Sequence, residues 1–240
     1  MMELTEKIPK TLIPILQDRC ILGINVDNIV RSKAATKVSV VGGHAWPSLR
    51  EHLDCYADCE IPVEGILNAE YDVVGPCRSI QLALPNAKDC DRIIIANGDT
   101  IFLADAFRCM KVKEPGFFLL GSRIRNPQPD DLVVTRAPGG RVQSASKANG
   151  ESELAIVSSG MLAAVGDVAI EMLSDALTAV LEREKEFRRQ LPWHDVLEYL
   201  SSNGAAAQLL LIDRNAWYEF DSRSCIARFH SQHDGAFLRA

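Results

Sequence analysis

The chain alternates between short apolar runs, rich in β-branched residues, and longer segments with apolar residues at helical spacing. The short runs have the length of strands, and those at 92–96 and 208–212 are typical of strands covered on both faces. Strands are predicted at residues 36–41, 61–67, 92–96, 116–120, 131–135 and 208–212. Helices are predicted at residues 21–32, 46–53, 78–84, 168–190 and 192–201.

The order of these elements predicts an α/β fold. Helices and strands alternate in the first half, which favours a mainly parallel central sheet flanked by helices. The middle, residues 121–160, is broken by prolines and by Gly139-Gly140, and predicts a small antiparallel excursion with a hairpin turn at Gly-Gly-Arg-Val. We predict one domain over residues 1–240. The charged end of the long helix, EREKEFRRQ, is expected to be a solvated last turn.

Composition narrows the class of protein. The 240 residues carry 26 lysines and arginines against 32 acids, a net charge of −6, with 47% hydrophobic residues. The acidic balance argues against nucleic acid or a membrane surface as partner but permits a small anion held by local cations. The seven cysteines are scattered and odd in number, which favours reduced thiols in a cytoplasmic protein. No apolar run reaches the roughly 18–20 residues of a membrane span.

Two aspartates are candidate ligands of a cation. Asn97, Gly98 and Asp99 follow a buried strand, and ligands of open α/β sheets bind at the carboxyl ends of strands. Asp221 lies in the aromatic stretch WYEFDS, where a buried carboxylate needs a partner or a metal. Together they could hold one Mg2+. The alternatives are a turn role for Asp99 and a helix cap at Asp221 or Ser222.

Other polar residues could meet a phosphate. Lys10 follows a proline and could act as a point charge. Ser79 begins a helix after the loop that carries Asn68 and Tyr71, and backbone N–H groups at a helix start favour anions or polar groups. Lys147 lies in a turn, where an ordinary solvated lysine is the alternative.

The order of these segments is more specific than any one of them. LTEKIPKTLIPI, VSVVGGH, NAEY followed by SI, ANGDTIF, SK followed by SG, and WYEFDS span residues 4–229. In this order they resemble the sugar-phosphate nucleotidyltransferases of the GT-A-like fold. The small cytidylyltransferases that activate phosphocholine, phosphonates or capsule groups are similar in having Asn-x-x-Tyr-x7-Ser-Leu. Asn68, Tyr71, Ser79 and Ile80 match that pattern with isoleucine for leucine.

The resemblance implies an activity and a set of residue roles. It implies a Mg2+-dependent enzyme of cell-surface polysaccharide or phosphonate biosynthesis. Such an enzyme transfers CMP from CTP to a small phosphorylated or phosphonate acceptor and releases pyrophosphate. Asp99 and Asp221 would hold the metal, and Lys10 would contact phosphate. The nucleotide-binding residues would be Gly42, Gly43, His44, Ser79 and Gly98; the acceptor-binding residues, on or beside the 121–160 insertion, would be Lys147, Glu153 and Gly160. The resemblance is compatible with a homo-oligomer.

One departure from the family leaves alternatives. Its members normally begin with a strand and a glycine-rich loop that wraps the triphosphate, whereas the likeness here begins at Leu4 and Thr5. The strand and loop are therefore expected to be absent. A late recorded start, a partner that supplies them, or a non-catalytic nucleotide-binding relative would each account for this. A glycosyltransferase of related fold would usually show Asp-x-Asp where this chain has Asn97-Gly98-Asp99.

Overall fold

The computed structural model describes residues 7–16, 18–148 and 153–232, so Leu4 and Thr5 lie outside the described residues. The strands are β1 Pro14–Leu16, β2 Arg19–Cys20, β3 Val38–Gly42, β4 Val63–Leu67, β5 Arg92–Ala96, β6 Thr100–Phe102, β7 Gly116–Arg125, β8 Leu132–Arg136, β9 Val142–Lys147, β10 Leu154–Val165, β11 Gln208–Leu211 and β12 Trp217–Glu219. The α-helices are α1 Ile21–Ser32, α2 Trp46–Leu53, α3 Pro76–Ala83, α4 Ala104–Cys109, α5 Asp167–Phe187, α6 Val196–Ser202 and α7 Arg223–Gln232. None of the described helices combines the length and the apolarity that crossing a membrane requires.

β10 lies at the centre of the main sheet. One of its edges pairs with β7 along the whole strand, and the other pairs with β8 and then β5, all antiparallel. β11 pairs in parallel with β7, and β9 pairs antiparallel with β8. The α/β fold with a central sheet flanked by helices is confirmed. The direction of the strands is more mixed than predicted, because β10 runs against its three neighbours while β5, β7 and β11 run together.

The middle of the chain forms the expected antiparallel excursion. β8 and β9 are a hairpin, and the Ala137 N–H donates to the Arg141 carbonyl at 2.9 Å across its turn. Gly139 and Gly140 have φ values of +93° and +82°, which favour glycine. The sequence predicts only the first half of β7, which has 10 residues. It does not predict β10, which has 12 residues.

Helices cover both faces of the main sheet. Successive residues of β7 point to opposite faces, so Leu119 packs with α5 and α6 while Phe118 packs with α4. α1 and α2 have the predicted bounds. α1 begins where the Cys20 thiol accepts from the Gly23 N–H, and it ends at Ser32 because the next residue, Lys33, has a left-handed backbone with φ 52°.

The end of α5 corrects one prediction. α5 stops at Phe187 because Arg188 adopts a left-handed conformation with φ 50°. Within the charged run, Glu184 is buried, and its carboxylate accepts from the backbone N–H groups of Gly75 and Leu191 at 3.0 and 2.9 Å. A buried carboxylate with two donors stabilises the junction between α3 and α5. That part of the run is therefore not a solvated turn.

β3 and β4 form a separate parallel pair. Within the described residues, β3 pairs only with β4 and β5 only with β10. α1 shares hydrophobic clusters with Val40 of β3 and Ile94 of β5, and α3 packs on β3 and shares a cluster with Ile95 of β5. At the start of both strands, the Arg92 guanidinium donates to the Ala34 carbonyl at 3.4 Å. β3 and β5 therefore both lie between α1 and α3 without pairing with each other among the described residues, and this break in backbone pairing is called the gap below.

Candidate active site at a cluster of three carboxylates

Asp99 and Asp221 meet because two strands of three residues each pair antiparallel. β6 begins directly after Asp99, and β12 ends two residues before Asp221, with Thr100 opposite Glu219. The Phe220 N–H donates to the Asp99 carbonyl at 2.9 Å and extends this ladder. Carboxylate oxygens of Asp99, Glu219 and Asp221 all lie within 4.8 Å of one another. The ladder therefore gathers three acids from two distant parts of the chain.

Ser222, and not Asp221, caps the helix that follows, so the Asp221 carboxylate is available to the cluster. The Ser222 hydroxyl accepts from the Cys225 N–H at 3.3 Å in the first turn of α7, which begins at Arg223. Side-chain capping of a helix start satisfies a backbone donor that the helix itself cannot. Of the two residues predicted as alternative caps, the serine fills that position.

Lys10 places its ammonium between two of the acids. Its Nζ lies 3.3 Å from Oδ2 of Asp99 and 3.3 Å from Oδ1 of Asp221. Pro9 is extended and is followed by the 3-10 turn Lys10–Leu12, which carries the side chain to the cluster. Burial lowers the pKa of Lys10, but the charges of Asp99 and Asp221 outweigh it and the pKa is raised. Because these groups are partly exposed, each pair contributes only about 0–1 kcal/mol to folding.

Glu219 is the member of the cluster that sequence reasoning missed. Burial, followed by the negative charges of Asp221, Asp99 and Asp131, raises its pKa to about 7, and the charge of Lys10 opposes this. The alternation in Trp-Tyr-Glu-Phe-Asp is the signal that could have found it, because residues two apart on an extended strand point to the same side. The sequence pattern therefore indicates Glu219 as a second acid on the same side of the strand as Asp221.

The donor set fits a hard divalent cation. Three carboxyl groups share one ammonium, and burial together with the neighbouring acids raises the pKa of Glu219. Carboxylate oxygens are the ligands that Mg2+ takes in proteins, usually with water and phosphate completing the shell. The buried hydroxyl of Thr100 lies beside Asp99 in the chain and has no hydrogen-bond partner among the described residues. Asp99, Glu219 and Asp221 are therefore the candidate metal ligands.

The turn before Asp99 is packed against the middle of β10. The Asn97 N–H donates to the Gly160 carbonyl at 3.0 Å. A Cβ on Gly160, which has φ +79°, would lie 2.5 Å from the Asn97 side-chain nitrogen, so only glycine permits this approach. Around Gly98, by contrast, a Cβ would meet open space. The predicted acceptor residue Gly160 thus supports the turn, and the predicted nucleotide residue Gly98 exposes its backbone.

The other predicted nucleotide-binding residues gather at the ends of β3 and β4. The Asn68 N–H donates to the Gly42 carbonyl at 2.8 Å, and the Asn68 side chain donates to the Ser79 hydroxyl at 3.0 Å. Gly43 lies against the Tyr71 side chain, whose ring centroid is 6.2 Å from that of His44. Gly42, Gly43, His44 and Ser79 are therefore brought together through Asn68 and Tyr71.

This group of residues is joined to the carboxylates by the first described segment. The Ser48 hydroxyl, in the first turn of α2, donates to the Lys7 carbonyl at 3.3 Å, three residues before Lys10. The carboxyl ends of β3 and β5 consequently lie along one edge of the fold, bridged by residues 7–10. Ligands of open α/β sheets bind at such an edge.

Two of the predicted acceptor residues lie on the exposed hairpin side of the site. Lys147, at the end of β9, pairs with Asp130 at 2.8 Å, and both side chains are more than 70% exposed. The hydrogen bond and charge of Asp130 raise the pKa of Lys147, with a smaller contribution from Asp221. Lys147 is thus within electrostatic reach of the cluster. Glu153 is exposed, and its carbonyl accepts from the Asn126 N–H at 3.0 Å.

Comparison with known proteins identifies the fold. No protein-family model and no curated protein matches the sequence. Among solved structures, CTP:phosphocholine cytidylyltransferase (LicC) of Streptococcus pneumoniae is similar with a TM-score of 0.70 and 12% identity, over 95% of this chain and 91% of that one. The inositol-1-phosphate CTP transferase of T. maritima has a TM-score of 0.71 and 15% identity, over 98% and 91%.

A third structure is similar over a comparable length. The putative glucose-1-phosphate thymidylyltransferase of Bacillus anthracis has a TM-score of 0.75 and 12% identity, over 98% of this chain and 90% of that one. The chain therefore has the GT-A-like fold of the nucleotidyltransferases, as the order of its motifs predicted. At these identities the likeness establishes the fold alone.

Proposed function

We propose that the protein is a nucleotidyltransferase that transfers CMP from CTP to a small phosphorylated or phosphonate acceptor and releases pyrophosphate. The observation that carries the proposal is the cluster of Asp99, Glu219 and Asp221 around Lys10, at the sheet edge where the fold binds ligands. The proposal includes a cytoplasmic location, where CTP is formed.

The reaction requires two anions to meet. An oxygen of the acceptor phosphate attacks the α-phosphorus of CTP, the new P–O bond forms, and the bond to the β-phosphate oxygen breaks with its electron pair leaving on pyrophosphate. Mg2+ held by the three carboxylates would neutralise charge on the phosphates. No protein nucleophile takes part, so this chain's residues act by positioning and by electrostatic stabilisation.

The lysines supply positive charge on two sides of the cluster. Lys10 is already held between Asp99 and Asp221, so a phosphate that enters with the metal would draw its ammonium towards the triphosphate. Lys147 is tethered only to the exposed Asp130 and can exchange that partner for the acceptor phosphate. Both steps replace an ion pair within the protein by an ion pair with substrate.

The choice of base rests on the similar structures. Two of the three described above are named for CTP and one for thymidylyl transfer. Asn68, Tyr71 and Ser79 complete the pattern of the cytidylyltransferases in a connected group beside Gly42, Gly43 and His44. We therefore propose CTP as the first nucleotide to test.

Pyrophosphate release tests the proposal. The protein is incubated with Mg2+, each common nucleoside triphosphate in turn, and phosphocholine, inositol 1-phosphate or an aminoalkylphosphonate. Release that requires both an acceptor and a nucleotide, is greatest with CTP, and is lost in Asp99→Asn supports it. Absence of release with every nucleotide and acceptor would contradict it.

A second candidate is a nucleotide-binding protein without transferase activity. The gap between the unpaired edges of β3 and β5 favours it, because this gap lies between the nucleotide-side residues and the carboxylates. Nucleotide binding detected by calorimetry, with no pyrophosphate release and no effect of Asp99→Asn on that binding, would favour this second function.

A further inference from the structure

Trp193 reaches the turn that carries Asp99 from outside the cluster. It lies in the 3-10 turn Trp193–Asp195, just before α6, and is 5% exposed. Its indole Nε1 donates to the side-chain oxygen of Asn97 at 2.8 Å. Asn97 is two residues before Asp99, and the proposed reaction gives Trp193 no contact with substrate.

The neighbouring His194 holds the other side of the same turn. It stacks on the Trp193 ring with centroids 3.8 Å apart, and its Nε2 shares a hydrogen bond of 2.9 Å with the Ser158 hydroxyl. That hydroxyl also accepts from the Gly160 N–H at 3.1 Å. The His194 side chain is buried and its burial lowers the pKa to about 3, so the ring is neutral across the working pH range.

These contacts form a closed frame around Asn97. Trp193 binds its side chain, and the Gly160 carbonyl binds its backbone N–H. The register of β10 shifts between Ser158 and Met161, where Gly160 makes room for the Asn97 side chain. One end of the frame is the buried 3-10 turn just before α6 and the other is β10 of the main sheet, so the side chain and the backbone of Asn97 are both held by buried elements.

We infer that Trp193 is a positioning residue, which through its hydrogen bond to Asn97 keeps the Asp99 carboxylate within range of Glu219 and Asp221. The inference rests on the proposed function, since it assumes that this cluster binds a divalent cation. Without the indole donor, the partly buried Asn97 oxygen loses its partner and the turn can adopt other conformations. Partners one shell outside metal ligands have comparable roles, and their loss weakens metal binding.

Mn2+ binding to the protein, followed by electron paramagnetic resonance of the free ion, tests the inference. Trp193→Phe keeps an aromatic ring beside His194 and removes the N–H donor together with part of the ring, so we expect a Kd about 10-fold weaker than in the unaltered protein. Trp46→Phe is the matched control: it removes an indole on α2 that packs against Gly42 and Gly65, and its Kd is expected to be unchanged.

A double variant distinguishes positioning from general loosening of the fold. In the Asn97→Ala background, Trp193→Phe should cause no further weakening of Mn2+ binding, because the hydrogen bond is already absent. Equal Kd values for Trp193→Phe and the unaltered protein would overturn the inference. So would equal weakening by Trp193→Phe with and without Asn97→Ala.

Failure of the wider proposal would look different. If the unaltered protein binds no Mn2+ and Asp99→Asn changes nothing, the metal-dependent function is wrong, and the role given to Trp193 falls with it. If Trp193→Phe fails to fold, Asn97→Ser removes the same bond from the other side, and normal Mn2+ binding by that variant would overturn the inference.

Discussion

The two sides of the gap between β3 and β5 are built differently. β10 is buried over most of its length and β7 is buried at residues 117–122, with neighbours on both edges and helices on both faces. β3 and β4 include the polar residues Ser39 and Glu64; every residue of β3 is only partly buried, as are the first four residues of β5, and β4 ends in the half-exposed Leu67. The difference follows the pairing, because β7 and β10 have partners on both edges, whereas β3, β4 and β5 each pair on one edge only among the described residues.

This difference separates two halves of the candidate site. Glu219 ends β12, Asp221 follows β12, and Asp99 lies between β5 and β6; β6 and β12 are largely buried, and β5 pairs with β10 of the main sheet. The predicted nucleotide-binding residues at Gly42, Gly43 and His44 belong to the less covered pair. The carboxylates are therefore expected to be positioned before any ligand binds, whereas the nucleotide side gains more of its order from the ligand.

The largest expected effect concerns the carboxylates. Asp99→Asn should reduce pyrophosphate release by at least about 100-fold, because it removes a charge that the transferred phosphate depends on. Asp105→Asn, on the surface of α4, is the matched control and should leave the rate unchanged. Initial rates with CTP and acceptor measure both. Similar rates in the two variants would show that the cluster is not catalytic.

A leucine-to-alanine substitution on each side of the gap measures the difference in packing. Leu162→Ala in β10 opens a cavity at a fully buried position and should lower the free energy of unfolding by about 2–5 kcal/mol. Leu67→Ala at the end of β4 removes a side chain that is 47% exposed and should cost under about 1 kcal/mol. Urea denaturation gives both values, and equal costs would remove the distinction between the halves.

How far the sequence predicts these two halves depends on the range of the interactions. α1 and α2 were predicted to the residue, since local apolar periodicity indicates both helices. β10 was missed because Ser158, Ser159 and Gly160 interrupt its apolar pattern at the register shift. β6 and β12 have three residues each and exist through pairing with each other. Glu184 was misjudged because its donors are distant or follow the helix end.

The site was predictable where resemblance supplied the order of motifs. The resemblance gave roles to Asp99, Asp221 and Lys10, which the residues alone had already marked as candidates and which the structure brings together. It did not lead to Glu219 or to Trp193, since neither stands in the matched segments as a ligand. The alternation of Glu219 with Asp221 is a local signal, but the place of Glu219 in the cluster depends on the ladder of β6 and β12, and the role of Trp193 depends on a contact with Asn97 that no local pattern contains.

Glu219 makes the stability of the carboxylate half depend on pH. Its pKa rises from 4.5 to about 7 on folding, so the folded protein holds a proton that the unfolded chain releases between these values. Stability of the metal-free protein should therefore fall as pH rises from about 4.5 to 7, by up to about 3 kcal/mol. Glu219→Gln should abolish that contribution. Urea denaturation at several pH values checks it, and identical pH profiles would contradict it.

The smallest expected effect concerns the acceptor. Lys147→Ala should raise the KM for the acceptor by about 10-fold and leave the KM for CTP unchanged, because one ion pair with the acceptor phosphate is lost. Lys185→Ala is the matched control, another exposed lysine paired with an acid. A change confined to the KM for CTP would assign Lys147 to the nucleotide instead.

The most direct test of the central claim is the position of a bound cation. Crystals soaked with Mn2+ and measured near the manganese absorption edge should show an anomalous peak in contact with oxygens of Asp99, Glu219 and Asp221, with Lys10 displaced from between them. A peak at that position would support a preformed metal centre on the well-packed side of the gap. Ordered crystals that contain Mn2+ elsewhere, with Lys10 still bound to both aspartates, would contradict it.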